Sequence, residues 1–156
     1  TMKRPIIRFG HDDIGDWVAT LNCGHLQHVR HSPPFLNRPW VITESGRKNK
    51  IGETLNCVRC DKFEFPGNFI PYKKTPVFTE ESLPSGLKND HSTKAGVWGK
   101  IILIEGTLQY RVNSLETDIV LSPNKLGIIL PEILHSVALL GPVKFYVEFY
   151  KEPDFA

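Results

Sequence analysis

The sequence predicts a mainly β protein built from two modules, a small metal-stapled one followed by a β-barrel. Three observations carry this reading. All three cysteines and four of the six histidines lie before residue 63. From about residue 97 onward, short runs rich in β-branched and aromatic residues recur at roughly ten-residue spacing, the pattern of a sandwich or barrel. Between the two lies FEFPGNFIPYKKTP, residues 63–76, whose Pro66, Pro71 and Pro76 fix φ and restrict the residues before them. We therefore expect module boundaries at 1–62, 63–71 for a Pro/aromatic connector, and 72–156.

Composition narrows the class. With 156 residues, 40% apolar and 23% charged, the chain reads as soluble and globular. No stretch approaches the roughly 18 to 20 apolar residues of a membrane span. No apolar run precedes a cleavage site, so no signal peptide is expected. Thr1 ahead of Met2 reads as a residue left by a cloning tag. Three cysteines are too few, and odd in number, for a disulfide scaffold, which predicts a reducing, cytoplasmic home. The net charge of +2 is unevenly spread. Residues 1–62 hold ten Lys/Arg against six Asp/Glu, while the remainder holds nine against eleven.

In the first module, strands are expected at 6–9, 17–22 and 40–43, with turn chemistry in GHDDIGDW and one short helix around 52–61. A module of about 60 residues buries only about 60% of its unfolded surface and commonly carries a staple. Cys23-Gly24-His25 and Cys57-Val58-Arg59-Cys60 offer one, since zinc takes such a sulfur and nitrogen set tetrahedrally. Four protein ligands make the site structural. His28 is the alternative fourth ligand, and His31 is close by. The competing reading of CxxC is a redox pair, which requires a βαβ setting that the pattern lacks.

Residues 28–40 interleave Arg30, His31, Arg38 and Trp40 with three prolines. Cations beside an aromatic face suit phosphate or stacked bases. The plainer reading, that these residues brace the loop around the metal, is preferred over nucleic acid because the charge excess is small. The pattern DWVATLNCGH, QHVRHSPPF, NRPWV, GRK and GETLNCVRC, over about residues 4–62, resembles an uncharacterised bacterial CGH/HVRHxPP/RPW/CxxC domain family. That resemblance supports one designed metal cluster and implies no activity.

In the second module, strands are expected at 97–105 and 108–112 with a turn at Gly106-Thr107, then in DIVLS, LGIILP, HSVALL and VKFYVEFY. Pro123-Asn124, Pro131 and Gly141-Pro142 punctuate them. YKKTPVF, LPSGL, DHSTKAGVWGKIILIEGTLQY, PEILHSV and VEFY resemble the cupin-like domain of TehB-type tellurite-resistance proteins and the small YeaR-type proteins. This resemblance, over about residues 72–153, implies a cupin-like (double-stranded β-helix) barrel behind a zinc-ribbon-like module. It sets the protein in tellurite or other stress resistance. In TehB-type proteins such a module precedes a methyltransferase, so tellurite methylation is not carried over from this part alone.

Cupin metal ligands would fall near Thr93, Ala95 and Gly99, none a good ligand. His91, His135 and Glu148 form an alternative set for a second divalent metal, provided they converge. The same region also reads as an anion pocket, with His91, Lys94, Lys100 and His135 as binding groups and Trp98 and Tyr110 as walls. The bland reading has Lys100 in solvent and His135 capping a turn after Pro131.

No phosphate loop or nucleophile elbow is evident. The leading expectation is a non-enzymatic binding or sensing protein for a small polar molecule or oxyanion. The alternatives are a metal-dependent cupin enzyme and a zinc-ribbon nucleic-acid binder. A homodimer through strand edges is a further expectation, and no membrane partner is expected.

Overall fold

The computed structural model describes residues 2–154, so Thr1 and its reading as a tag residue lie outside the described residues. The chain divides into two compact units, up to Lys62 and from Phe63 on. The fold is mainly β. Among the described residues, no helix is long and apolar enough to cross a membrane.

The first unit is an antiparallel sheet of β1 (Lys3–His11), β2 (Trp17–Leu21), β3 (Leu26–His28) and β4 (Thr54–Asn56), in the order β3-β2-β1-β4. The expected 12–16 turn joins the first two strands. There Asp12 accepts from the N–H groups of Ile14 and Asp16 at 3.0 and 2.9 Å. Ile6, Val18, Ala19 and Leu21 of the sheet are buried, as are Val29 and Val41.

Two expectations fail in this unit. Residues 40–43 are not a strand: Pro39–Ile42 form a 3-10 turn that runs into α1 (Glu44–Lys50). Proline is at home in a first helical turn, and Thr43 caps α1 by accepting from the Gly46 N–H at 3.0 Å. The apolar pair Val41-Ile42 had the look of a strand, and the capping threonine is the stronger signal. The helix expected at 52–61 is instead β4 followed by α2 (Val58–Asp61). Gly52, at φ 91°, turns the chain back onto β1, and its N–H donates to the Ile6 carbonyl at 2.8 Å. Residues 54–56 are thereby drawn into the ladder opposite residues 3–5.

The second unit contains β5 (Ile70–Lys74), β6 (Phe78–Thr79), α3 (Ser85–Lys88), β7 (Trp98–Val112), β8 (Thr117–Leu121), β9 (Gly127–Ile129) and β10 (Ser136–Lys151). The sheet runs β5-β10-β7-β8, with β6 also on β10 and β9 also on β7. The expected breaks at 106–107 and 141–142 are not turns. Two long strands, β7 and β10, pass through them as bends while staying paired with each other. Gly106 sits at φ 81°, and a Cβ there would lie 2.2 Å from the Pro142 carbonyl oxygen. The two backbones pass too close at the bend for any side chain. β5 begins at Ile70, inside the expected connector. Phe65 packs edge-on against Trp98 and Tyr150, at ring distances of 5.6 and 4.9 Å.

Along both long strands alternate residues face opposite ways. Ile101 and Leu103 on β7, with Phe145 and Val147 on β10, join Leu108, Tyr110, Leu121 and Ile129 in the core. Trp98, Lys100 and Glu148 occupy the intervening positions.

Candidate metal centre and pocket

In the first unit the sequence brings four donors to one buried point. β2 ends at Leu21, and Gly24, at φ 91°, lets the chain turn so that Cys23 and His25 face the same way. Its N–H closes that turn on the Leu21 carbonyl at 2.8 Å. After β4, Cys57 precedes the single turn of α2, which carries Cys60 back to the same side. The ligand atoms of Cys23, His25, Cys57 and Cys60 all lie within 4.8 Å of one another, and all four residues are buried.

Their spacing fits a metal. Tetrahedral zinc with Zn–S of about 2.3 Å and Zn–N of about 2.0 Å requires S···S near 3.8 Å and S···N near 3.5 Å. Here Cys23 and Cys57 sulfurs are 3.8 Å apart. His25 Nδ1 lies 3.4, 3.2 and 3.6 Å from the sulfurs of Cys23, Cys57 and Cys60. Electrostatics agree. Hydrogen bonds from Cys23 and Cys60 hold the Cys57 thiol well below its ordinary range, while the thiols of Cys23 and Cys57 push Cys60 well above it. Three thiolates cannot share this space without a cation between them. Burial disfavours a charged His25, yet hydrogen bonds to Cys23 and Cys57 override it and raise the ring to about 10. Arg4, 2% exposed, adds a buried positive charge that draws Cys60 back toward its thiolate. The group can hold a metal such as zinc.

His28, the alternative fourth ligand, is engaged elsewhere: its Nε2 meets Asp12 Oδ2 at 2.9 Å. The residues considered for nucleic acid brace their own loop. Arg30 pairs with Asp16 at 2.7 Å, and Arg38 donates to the Arg30 carbonyl at 3.1 Å. The Arg38 N–H donates to His31 Nδ1 at 2.9 Å. Trp40 packs edge-on against Phe9, with Lys50 over its face.

In the second unit a cavity of about 390 Å³ opens against the core face of the sheet. Leu87, Val97, Ile101, Ile129, Val137, Phe145, Val147 and Phe149 supply its apolar wall, and Lys73, His91, Lys94 and His135 supply its lysines and histidines. His91 and His135 are held together by paired backbone hydrogen bonds of 3.0 and 2.9 Å, and their rings lie 4.1 Å apart. Burial drives the His135 ring down to about 4, and the neighbouring His91 adds to the shift, so His135 is neutral at pH 7.

Of the residues singled out for this pocket, His91, Lys94 and His135 line it, whereas Trp98, Lys100, Tyr110 and Glu148 do not. Lys100 and Glu148 alternate with the pocket-lining Ile101, Val147 and Phe149, so they emerge on the opposite face of the sheet. Lys100 Nζ sits 4.3 Å from the Phe65 ring and 4.7 Å from the Tyr150 ring, and the Tyr150 hydroxyl donates to Glu148. Tyr110 is buried behind the wall, where its hydroxyl donates to the Ile128 carbonyl at 2.7 Å. A second metal on His91, His135 and Glu148 is therefore not assembled. Sequence reasoning missed Tyr72, Lys73 and Thr75, which reach the pocket from β5 and the residue beyond it. The alternation in β5 could have placed Lys73, had residues 70–74 been read as a strand.

Comparison with known proteins follows the same division. Residues 7–64 match a family described as "Protein of unknown function (DUF3565)". Residues 73–147 match the TehB-like domain family. Two relatives from Haemophilus influenzae, strains Rd and 10810, are each named "Probable S-adenosyl-L-methionine-dependent methyltransferase TehB". Both are 29% identical over 93 residues, which cover 55% of this chain and 32% of theirs. The chain thus spans about a third of the length of the curated relatives it matches. The crystal structure of TehB from H. influenzae superposes with a TM-score of 0.50 at 27% identity, covering 55% of this chain and 32% of that one. A protein from E. coli strain K12 shares the fold at a TM-score of 0.55 and 20% identity, covering 59% of this chain and 90% of its own.

These matches correct the expectation of a non-enzymatic binding or sensing protein. Relatives through the TehB-like region are named as methyltransferases, which points to an enzyme. That expectation leaned on missing catalytic motifs, and a motif that one stretch of chain lacks does not exclude an enzyme.

Proposed function

We propose that this chain works in an enzyme of the TehB kind and supplies the module that holds the methyl-accepting substrate. The observation that supports it most directly is positional: both histidines and all the cavity's lining residues but Tyr72 and Phe149 fall in the segment that matches the TehB-like domain. S-adenosylmethionine is the methyl donor named for the relatives. The pocket does not suit that donor. Its described lining holds two lysines and no Asp or Glu, which opposes a sulfonium cation and offers no carboxylate for a ribose diol. The pocket suits the acceptor, and the donor is held outside it.

In this reading the apolar wall excludes water, Lys73 and Lys94 steer the substrate's charge to the mouth, and the neutral His135 ring accepts a proton or hydrogen bond from the accepting group. We further propose that zinc fills the Cys23, His25, Cys57 and Cys60 group and is structural, because four protein ligands leave no open position. A cupin-like (double-stranded β-helix) description of the second unit belongs to this same proposal.

A hybrid tests the enzyme reading: H. influenzae TehB in which the aligned stretch is replaced by the matching stretch of this chain. The readout is S-adenosylhomocysteine formed across a panel of small acids, alcohols and oxyanions. Turnover that survives in the hybrid and is lost with Ile101→Trp, which fills the cavity, supports it. A folded hybrid whose turnover ignores Ile101→Trp counts against it.

A further inference from the structure

The two histidines of the pocket are polarised the same way. His91 Nδ1 lies 2.9 Å from the Asn89 carbonyl oxygen, and His135 Nδ1 lies 3.2 Å from that of Ile133. A carbonyl only accepts, so each Nδ1 carries the proton and donates it. His135, neutral at pH 7, is thereby left with Nε2 as a bare acceptor. The buried wall therefore asks its ligand for a hydrogen-bond donor. It repels an anion, because a lone pair faces one without a proton to offer.

The positive groups sit elsewhere: Lys73 and Lys94 are exposed residues of the lining. The rest is aliphatic and aromatic apart from Thr75, Ser92 and Thr93, of which Thr75 and Thr93 donate their hydroxyl protons to the Pro76 and Val97 carbonyls, and the volume of about 390 Å³ falls in the range that takes small organic ligands. A bare oxyanion would leave most of that surface without a partner and would lose its hydration against groups that cannot replace it. A divalent cation would meet two lysines and no carboxylate of the described lining.

We propose that the pocket's ligand is a small amphiphilic acid, with a ring-sized apolar body, a neutral hydrogen-bond donor directed at His135, and an anionic group at Lys73 and Lys94. This rests on the reading that the pocket is the substrate site, and it names the substrate class for that site. The hydroxyl or N–H that reaches His135 is the group set to pass its proton to that ring's Nε2 as it accepts the methyl group.

Titration calorimetry on the full, metal-loaded chain tests it with indole-3-acetate, which carries all three features. 1-Methylindole-3-acetate lacks the donor, indole-3-ethanol lacks the anion, and sodium sulfate lacks the apolar body. Indole-3-acetate is expected to bind once per chain, with each of the other two indoles at least about threefold weaker, the worth of one ordinary hydrogen bond or more. Lys73→Ala/Lys94→Ala is expected to weaken the acid and leave indole-3-ethanol unchanged; these are surface positions that do not threaten folding. Sulfate binding more tightly than indole-3-acetate, and lost with Ile101→Trp, would overturn the ligand class and keep the pocket as the site. No saturable binding of any probe in the millimolar range would overturn both.

Discussion

Lys100 and Glu148 stand directly opposite each other where β7 pairs with β10, on the face of the sheet turned away from the pocket. Their neighbours in sequence, Ile101, Val147 and Phe149, line the cavity. Lys100→Ala and Glu148→Ala are therefore expected to leave binding in the pocket unchanged, while Lys94→Ala weakens it. Calorimetry with one ligand across the three variants checks this. Lys100→Ala carries a separate cost of about 1 kcal/mol in urea unfolding, through its contacts over Phe65 and Tyr150.

Replacing Cys57 by Ser removes one of four buried donors. Metal binding in such a module is folding energy. The native chain is expected to carry one zinc per molecule by elemental analysis, and Cys57→Ser to carry none. The tertiary signal of Trp17 and Trp40 is expected to be lost with the zinc. Retention of zinc by the variant would refute the assigned site.

The neutral His135 makes stability depend on pH. Its folded-state value is pushed down from 6.5 to about 4, first by burial and then by His91, with Asp90 and the Ile133 carbonyl opposing. Tyr110, the other ring packed near it, stays protonated because burial raises its value further. Between about pH 4 and pH 6.5 the unfolded chain binds this proton and the folded chain does not, so stability rises with pH through that window. The full contribution is present above 6.5 and amounts to at most about 3 kcal/mol. The measurement is the difference in unfolding free energy between native protein and His135→Gln at pH 4.5 and pH 7. A difference that does not change with pH would show that His135 does not carry it.

Gly106 tolerates no side chain. A Cβ at this residue would meet the Pro142 carbonyl at 2.2 Å, and the backbone is at φ 81°. Gly106→Ala is expected to cost about 2 kcal/mol or more, whereas Gly10→Ala, where nothing lies within 4 Å, costs far less. Chemical denaturation of the two variants side by side checks the contrast.

The metal ligands were legible because Cys-x-His and Cys-x-x-Cys constrain chemistry by type and spacing alone. The strands of the second unit were legible from their β-branched and aromatic runs. Their continuity was not. Gly106 and Gly141-Pro142 carry the residues of a turn, yet the cross-strand ladder holds β7 and β10 together past them, and local chemistry does not encode that.

The pocket was half legible. His91 and His135 are separated by 43 residues that no local pattern bridges, and they meet through backbone pairing. Trp98, Lys100 and Glu148 were misplaced for a simpler reason. A strand's alternation says which residues share a face, but only a known inward residue says which face is inside. Thr43 is a different case: a threonine ahead of a polar run is a helix-start signal, and residues 40–43 were read only as a strand.

The bent pair β7 and β10 has a kinetic consequence. One partnership, shifted in register between Leu139 and Val143 and again between Lys144 and Phe145, runs from Trp98 opposite Tyr150 to Arg111 opposite Ser136, so the floor of the pocket and the far end of the unit belong to the same ladder. Amide hydrogens at both ends should then exchange with solvent on a single slow timescale set by global opening. A ligand entering the cavity finds a wall that does not loosen piecemeal, and what it selects for is fixed before it arrives.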